Sequence, residues 1–316
     1  MRTPKKLLSV LLKDDCFLIA THINPDGDAI GSSLALAEAL ASVGKKIFLY
    51  DRDPVPKYYR FLPGYRKFST DLKKALRTDP VLVLLDCNSP ERAALGAVTF
   101  RKNVVIDHHE TERDFGDLRW VEKDAAATGM LIYALIRSLG LKITPSMATN
   151  LYTAIAVDTG TFRYSNTTDE VLRAAAELVR AGAEPNSISD HLYETWDYGR
   201  FRLFLTVMNT LEKKDGVAIV HVTADMFRQT GTAPEDTENF ANLPRRIDDV
   251  KVAAMFRETG SGEWKASLRS KGAANVARIA EQFGGGGHRN AAGFRIKGDL
   301  ATAKKSLMKA LRKTLA

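Results

Sequence analysis

Continuous apolar runs that end abruptly in acidic or imidazole side chains are the clearest pattern in this chain of 316 residues. Three of them have the length and composition of buried parallel strands: CFLIATH at 16–22, PVLVLLD at 80–86 and NVVIDHH at 103–109. Helical patterns that stop at glycine alternate with these runs, as at 29–44 and 128–140. The alternation predicts a doubly wound α/β domain with a mainly parallel sheet.

The pattern of the chain changes near its middle. Alternating strand and helix patterns occupy 1–183, which we predict to be one domain. A polar turn and helical segments fill 184–215, which we interpret as a helical connector ending in a charged, glycine-containing break. Residues 216–316 are then predicted to form a smaller C-terminal α/β domain.

Three apolar segments of this second domain predict strands of a mixed sheet. They are VAIVHV at 217–222, KVAAMFRE at 251–258 and EWKASLRS at 263–270. The four residues TGSG at 259–262 separate the last two segments, so this pair is predicted to be a hairpin.

Four segments leave acids or imidazoles beyond an apolar run: THINPDGDAIGSS at 21–33, LLDCN at 84–88, VIDHHE at 105–110 and AVDTGTF at 156–162. Ligands collect beyond the carboxyl ends of strands in doubly wound sheets, so these side chains are expected to converge. A single acid has ordinary explanations, and Asp28 stands at a plausible helix N-cap. Many clustered carboxylates, however, are costly unless cations compensate them. The pattern therefore predicts a site for two divalent cations.

Composition places the chain among soluble globular proteins. Hydrophobic residues make up 45% and charged residues 27%, and no stretch has the length of a membrane span. The two cysteines, Cys16 and Cys87, lie beside apolar runs and are expected to be buried thiols in a reducing compartment. We expect a cytoplasmic protein without a membrane partner.

Positive charge is concentrated in the last third of the chain. From 216 to 316 there are 17 lysines and arginines against 10 acids. Lysines of the final helix are expected to face solvent opposite an apolar stripe. Four other cations surround a glycine-rich segment instead of following a helical period, and they suit polyanion recognition: Arg269, Lys271, Arg289 and Arg295.

The glycine run at 284–287 precedes His288 and Arg289. Four glycines are also what a helix C-cap and a flexible turn would use. The histidine, the arginine and the small residues that follow favour a backbone that approaches an anion closely. We predict phosphate contact here, through Gly285, Gly286 and Gly287.

HINPDGDAIGSS, DCNSPER, DHH and DTGTF resemble, in order and spacing, the motifs of the DHH phosphoesterases. The segment GGGGHRNAAGF at 284–294 resembles the signature of their DHH-associated C-terminal domain. The resemblance covers nearly the whole chain. Within the family, TGTFRYSNTT at 159–168 and SLRSKG at 267–272 are most similar to the NrnA-type nanoRNases, which act as oligoribonucleases and pAp phosphatases.

The resemblance implies a set of metal ligands. One cation would be held by His22, Asp26 and Asp86. The second would be held by Asp28, Asp86, His108 and Asp158, with Asp86 bridging the pair. Oxygen-rich ligation with some imidazole and no thiolate suits manganese better than zinc.

The resemblance also implies catalytic and substrate-binding roles. Asp107 would support the ligands, and His109 would face the substrate or the bridging solvent. His288 would contact the scissile phosphate, and Arg269 and Ser270 the nucleotide, in an active site within the cleft between the two domains. The complete predicted substrate set is Arg269, Ser270, Lys271, Gly285, Gly286, Gly287, His288, Arg289 and Arg295.

The predicted reaction is phosphoester hydrolysis, in which two cations about 3.5–4 Å apart activate a hydroxide for in-line attack. The predicted substrates are short single-stranded oligoribonucleotides (nanoRNA) and 3′-phosphoadenosine 5′-phosphate (pAp), because the connector leaves no sequence for a domain that tracks long strands.

Relatives of the same size instead cleave cyclic di-AMP or linear pApA, and this alternative stays open. A module that binds nucleotide or RNA without catalysis ranks lower, because none of the six implied ligands is substituted. A family II pyrophosphatase or exopolyphosphatase ranks low as well, because those enzymes lack the GGGGH signature. Relatives often form homodimers through the first domain, and the sequence leaves the oligomeric state, cleavage polarity and base preference open.

Overall fold

The computed structural model describes residues 2–109, 114–260 and 262–315, with side chains of the last helix described through Arg312. The chain divides into two compact units, Met1–Thr195 and Trp196–Ala316. The helical segments predicted within 184–215 fall on both sides of this division. The domain boundaries placed at 183 and 216 stay a prediction.

The first unit is a parallel sheet with helices. Its strands are β1 (Cys16–Ala20), β2 (Lys46–Tyr50), β3 (Phe68–Ser69), β4 (Val81–Leu85), β5 (Asn103–Asp107) and β6 (Leu118–Val121). Its helices are α1 (Lys5–Lys13), α2 (Gly27–Ser42), α3 (Lys73–Leu76), α4 (Thr128–Ser138), α5 (Pro145–Asp158), α6 (Asp169–Arg180) and α7 (Pro185–Tyr193). The strand order is β3-β2-β1-β4-β5-β6, and every neighbouring pair is parallel. The predicted parallel α/β sheet is confirmed.

Both faces of this sheet are buried, which explains why its strands are apolar without alternation. On one face, Phe17, Ile19 and Val83 pack with the apolar residues of α2, α4 and α5. On the other, Leu18 and Leu84 pack with residues of α3 and of the segment that follows β4. The N-terminal helix α1 contributes its buried leucines to the first of these cores.

Helices α2 and α5 approach closely at Gly31. A Cβ atom at this position would lie 2.3 Å from the backbone oxygen of Asn150 and 3.2 Å from the Cβ of Ala154. Contact at 2.3 Å with a backbone atom can be relieved only by moving a helix. Glycine at position 31 therefore sets the distance between the two helices that carry Asp28 and Asp158.

We expect Gly31→Ala to destabilise the protein, although alanine favours helix by up to ~1 kcal/mol over glycine. The clash should lower the free energy of unfolding by about 1–3 kcal/mol, as overpacking of a core does. Equilibrium urea unfolding measures the change. Ser42→Ala, at the exposed end of the same helix, is the control and should change stability little. Equal or greater stability of Gly31→Ala would contradict close helix packing.

The second unit contains a mixed sheet. Its strands are β7 (Glu212–Lys214), β8 (Val217–Val222), β9 (Val252–Gly260), β10 (Glu263–Ser270), β11 (Gly286–His288) and β12 (Ala291–Lys297). Its helices are α8 (Tyr198–Met208), α9 (Ala224–Thr230), α10 (Val276–Glu281) and α11 (Leu300–Leu315). The strand order is β11-β12-β10-β9-β8-β7, with β8 and β9 parallel and the other pairs antiparallel. The predicted mixed sheet is confirmed.

Alternation along β10 separates the two faces of this sheet. Trp264, Ala266 and Leu268 are buried and pack with apolar residues of α10 and α11. Lys265 and Arg269 point to the opposite face and are partly exposed. Residues of α8 and α9 cover the part of that opposite face that lies over β8 and β9.

Three details differ from the sequence pattern or go beyond it. The charged segment predicted as a break begins with an edge strand, β7, and the turn is Asp215–Gly216, where both residues have positive φ, as a type I′ hairpin requires. Strands β9 and β10 pair as the predicted hairpin, while Ser261 of its TGSG turn lies outside the described residues. Cys87 is buried as expected, whereas Cys16 is only partly buried, with its sulfur 3.2 Å from the Thr78 hydroxyl.

Among the residues that the structure describes, no helix has the length and apolar character needed to cross a membrane.

Candidate metal centre

The site of the first unit lies where the order of strands reverses. The chain runs outward from β1 to β3 and then returns to β4, so β1 and β4 are neighbours although β2 and β3 separate them in sequence. His22 follows β1 and Asp86 follows β4 directly. Ligand sites of open α/β sheets form at such a switch point, because loops leave it in opposite directions. The backbone of Asp86 has φ of 55°, a conformation that aspartate tolerates better than most residues.

The N-terminus of α2 supplies two carboxylates with different surroundings. The N-cap is Asp26, whose Oδ1 accepts hydrogen bonds from the backbone N–H groups of Asp28 and Ala29 at 3.0 Å each. The sequence placed Asp28 at this position, and the structure corrects that assignment by two residues. Asp28 lies in the first turn and is fully buried. Capping leaves the Oδ2 atom of Asp26 available to face His22.

The N-terminus of α4 holds Asp28 in place. The backbone N–H groups of Thr128 and Gly129 donate to its two carboxylate oxygens at 2.6 and 2.8 Å, and the Ser32 hydroxyl donates at 2.9 Å. The Thr128 hydroxyl also donates to Oδ1 of Asp86 at 3.1 Å. The positive end of the helix dipole and these donors stabilise two buried carboxylates side by side.

A first group of potential ligands consists of His22, Asp26 and Asp86. The Nε2 atom of His22 lies 3.3 Å from Asp86 Oδ2 and 4.0 Å from Asp26 Oδ2. The Nδ1 atom of the same ring lies 3.0 Å from the backbone oxygen of Ile23, which orients the ring with Nε2 toward the carboxylates. One ligand atom from each of the three residues lies within 4.8 Å of the other two.

A second group consists of Asp28, His108 and Asp158, again with all three ligand atoms within 4.8 Å. The Nε2 atom of His108 lies 3.1 Å from Asp158 Oδ2, 3.6 Å from Asp28 Oδ2 and 3.4 Å from Asp86 Oδ1. Its Nδ1 atom lies 3.0 Å from the backbone oxygen of Ala125. Asp86 therefore faces the second group through Oδ1 and the first group through Oδ2.

Asp107 and His109 form a buried pair beside these groups. The Nδ1 atom of His109 lies 2.7 Å from Asp107 Oδ1, which also accepts the backbone N–H of His108 at 2.8 Å. Burial acts to raise the pKa of Asp107, but hydrogen bonding to His109 outweighs it and lowers that pKa. The carboxylate thus fixes the orientation of the imidazole. Glu110, the last residue of the VIDHHE segment, lies outside the described residues.

Electrostatics at the site favour added positive charge. Burial raises the pKa of Asp26 to about 6, with Asp86 acting in the same direction. Burial and the charges of Asp86 and Asp158 raise the pKa of Asp28 well above its usual range. Burial acts to lower the pKa of His22, but Asp86 and Asp26 outweigh it and raise that pKa to about 9. Crowded carboxylates that favour protonation are what a cation would neutralise.

The donor set and its spacing fit divalent cations. Two atoms that each lie about 2.1 Å from one ion, at right or tetrahedral angles, are roughly 3.0–3.4 Å apart. The His22–Asp86 distance and the three distances from His108 are 3.1–3.6 Å. The donors are carboxylate oxygens and imidazole nitrogens without sulfur, which is a set typical of manganese, magnesium or iron sites. The geometry brings all six predicted ligands together, while their role as ligands stays a prediction.

The sequence did not predict that two further residues, Thr128 and Asp51, belong to the site. Thr128 gives both its N–H and its hydroxyl to the carboxylates, and its signal was a polar residue at the first position of an apolar helix. Asp51 follows β2 directly, is buried, and has no hydrogen-bond partner for Oδ2 among the residues described. Burial raises the pKa of Asp51 to about 7. Its signal was the end of a further apolar strand at the same edge of the sheet.

The glycine run of the second unit proves to be part of the sheet. Residues 286–288 form β11, which pairs with β12 so that Gly286 is opposite Gly293. A Cβ on Gly285 would lie 2.1 Å from the backbone oxygen of Gly293, and one on Gly287 would lie 2.5 Å from that of Ala291. Tight backbone packing is therefore sufficient reason for glycine at 285 and 287. Contact of these glycines with phosphate stays a prediction.

The other predicted substrate residues have internal partners. The Ser270 hydroxyl is buried and donates to the backbone oxygen of Ala274 at 2.8 Å. The Lys271 ammonium donates to the backbone oxygens of Ile247 and Asp248. These contacts stabilise the segments around β10. The remaining predicted cations bond as follows: Arg269 to Asn242, Arg289 to the oxygen of Ala273, and Arg295 to Glu263.

Comparison with known proteins agrees with this arrangement. Residues 16–155 match the N-terminal domain of the DHH family, and residues 210–316 match the DHHA1 domain. The chain belongs to the DHH family and carries both of these domains. The predicted family is therefore confirmed.

Individual proteins are similar to this chain over most of its length. The bifunctional oligoribonuclease and PAP phosphatase NrnA of Thermus thermophilus is 40% identical over 94% of this chain and 89% of its own length. The protein of the same name from Bacillus subtilis is 27% identical over 92% of each chain. The crystal structure of an exopolyphosphatase-related protein from Bacteroides fragilis superposes with a TM-score of 0.87 at 28% identity, covering 98% of this chain and 95% of that one. The prediction that the chain is a hydrolase acting on phosphate esters is confirmed at this level.

Proposed function

We propose that this chain is a manganese-dependent phosphoesterase that hydrolyses short oligoribonucleotides and pAp. The observation that carries the proposal is the position of Asp86, whose two carboxylate oxygens face two separate groups of ligand atoms at 3.3 and 3.4 Å. A carboxylate in that position suits two cations that share one ligand. The substrates are inferred from the relatives that are named as oligoribonucleases and PAP phosphatases.

The proposed division of labour assigns each side chain one task. Two divalent cations would neutralise charge on the phosphoryl oxygens and make a water molecule more acidic. His22, Asp26, Asp28, Asp86, His108 and Asp158 would hold them, and Thr128 would fix the orientation of Asp86 by its hydroxyl. The Asp107–His109 pair would present an imidazole to the phosphate, held in one orientation by the 2.7 Å hydrogen bond.

The chemistry of the ligand set supports manganese. The six side chains would offer the two ions only carboxylate oxygens and imidazole nitrogens, which is a hard to borderline set. A site intended for structural zinc would be expected to contain thiolate, and the buried Cys87 thiol instead approaches the backbone oxygen of Ser89. Burial raises the pKa of that thiol to about 12, which disfavours the thiolate form that metals bind.

Substrate assays with the purified chain test the function. With manganese we expect hydrolysis of a diribonucleotide and release of inorganic phosphate from pAp, both abolished by EDTA and restored by manganese. Cyclic di-AMP, linear pApA and inorganic polyphosphate are assayed in parallel, the last because of the name of the Bacteroides fragilis protein. Turnover of cyclic di-AMP without turnover of pAp or the diribonucleotide would contradict the proposal in favour of the cyclic dinucleotide alternative.

Metal content tests the binuclear site separately. Isothermal titration of the metal-free protein with manganese should give two ions per chain. A stoichiometry of one, or none, would remove the two-cation site while leaving hydrolysis as a family property.

A further inference from the structure

Three cations lie directly opposite one another across the sheet of the second unit. Lys265 on β10 is paired with Arg257 on β9 and with Arg295 on β12. Directly paired residues on antiparallel strands project to the same face. Adjacent strands are about 4.8 Å apart, so the three residues form a line roughly 10 Å long between backbones. We call Arg257, Lys265 and Arg295 the cationic row.

Such a row is unfavourable in the isolated protein. Like charges directly opposite on a sheet destabilise the pairing. Water would screen the repulsion between the three charges if all three side chains extended fully into solvent. Lys265 and Arg257, however, are only partly exposed. Burial and the charges of Arg257, Arg295 and Arg269 lower the pKa of Lys265 to about 8. The environment thus disfavours the charged lysine.

Compensation within the chain is incomplete. Arg295 pairs with Glu263 at 2.8 Å in an exposed ion pair, and Arg257 donates to the backbone oxygen of Pro234 at 2.8 Å. Lys265, at the centre of the row, makes neither a hydrogen bond nor an ion pair within the described part of the chain. The central cation of the row therefore has capacity for an anion.

The segment 234–242 borders the row on one side, where Pro234 accepts a hydrogen bond from Arg257 and the Glu238 carboxylate acts electrostatically on Lys265. Strand β10 continues from Lys265 to Arg269, about 13 Å further along the same face. The Arg269 guanidinium bonds to Asn242, so the segment containing Asn242 borders this face. The apolar residues of α8 and α9 lie over β8 and β9 and pack with Met255 of β9. The cations lie beyond that cover, toward β12.

We propose that the cationic row binds the phosphodiester backbone of an oligonucleotide substrate at a phosphate other than the one that is hydrolysed. This inference rests on the proposed function and specifies substrate length. A line of cations wider than one phosphate group suits a linear polyanion, and contacts to phosphates are independent of base sequence. The row would add binding free energy for oligonucleotides that pAp is too short to obtain.

The test removes the central charge. Lys265→Gln should raise KM by about tenfold for oligoribonucleotides that are long enough to reach the row, as measured over chains of two to five residues. It should leave pAp hydrolysis within about twofold of the wild-type rate. Lys265→Arg should preserve the wild-type length profile. The matched control is Arg278→Gln, which removes one positive charge from the exposed surface of α10, the helix on the opposite face of the same sheet.

Direct binding separates this inference from the proposed function. Fluorescence anisotropy with a labelled five-residue RNA in EDTA requires neither metal nor turnover. We expect weaker binding by Lys265→Gln than by the wild type or Arg278→Gln, with a salt dependence reduced by about one counterion. Equal binding by all three proteins, or an equal loss of pAp and oligonucleotide hydrolysis, would overturn the inference. A wild-type enzyme that hydrolyses no RNA would contradict the proposed function. The anisotropy measurement would still show whether the row contributes to RNA binding.

Discussion

Asp86→Asn is expected to lower kcat/KM for both pAp and oligoribonucleotides by more than ~100-fold, the upper end of the loss seen when a group that merely supports a metal ligand is removed. Asparagine keeps the shape of the side chain and tolerates the positive φ at this position. Its amide oxygen can still accept the hydrogen bond of the Thr128 hydroxyl. The change therefore removes one negative charge and the shared ligand with little effect on the fold.

Two measurements make this result specific to metal binding. Isothermal titration with manganese should show fewer bound ions or much weaker binding in Asp86→Asn. The rise in Tm that manganese gives the wild type should be smaller in Asp86→Asn, because a ligand that binds only the native state stabilises it by RT ln(1 + [L]/Kd), which falls as Kd rises. Asp190→Asn, a neutralised carboxylate on the exposed surface of α7, is the control. Near-normal turnover by Asp86→Asn would end the two-cation mechanism.

The convergence of most residues of the candidate metal centre could be predicted because they follow a strand or stand at the start of a helix, whereas Asp158 ends α5. His22, Asp86 and Asp107 stand at the carboxyl ends of apolar strands. In a parallel doubly wound sheet these ends lie at the same edge, so the topology alone brings the three residues to one edge. The N-terminus of α2 was also visible in the sequence, but its cap was displaced by two residues. A cap depends on φ and ψ at one residue, and both Asp26 and Asp28 are good capping residues, so the pattern could not distinguish them.

Features that depend on packing were not visible in the same way. Thr128 reaches Asp28 across 100 residues of sequence, and only the position of α4 in the folded unit shows that its N-terminus faces the carboxylates. The glycine run had two explanations at the level of sequence. The structure adds a third, in which β11 and β12 approach too closely for a Cβ at Gly285 or Gly287. Charge repulsion across Arg257, Lys265 and Arg295 likewise required the strand register.

His288→Ala is expected to reduce kcat/KM by about 100-fold while leaving manganese affinity unchanged. The histidine ends β11 and is partly exposed, on a hairpin whose short turn returns to Ala291. Its predicted role is a hydrogen bond to the scissile phosphate, and loss of one donor that stabilises developing charge costs on the order of 10²–10³ in rate. His288→Gln retains a donor without the imidazole and should recover part of the lost activity if the hydrogen bond is the contribution.

The pair of readouts distinguishes three roles for this histidine. Lower activity with unchanged manganese binding, partly restored by glutamine, supports a contact to substrate. Parallel loss of activity and manganese binding would mean that His288 acts as a ligand, and the six-residue set would then be incomplete. Unchanged kcat/KM in His288→Ala would mean that the DHHA1 signature has no part in catalysis, because Gly285 and Gly287 beside it are already required by their close packing against β12. The histidine thus provides the test of the second unit that substitution of the glycines, which would disrupt the sheet, cannot provide.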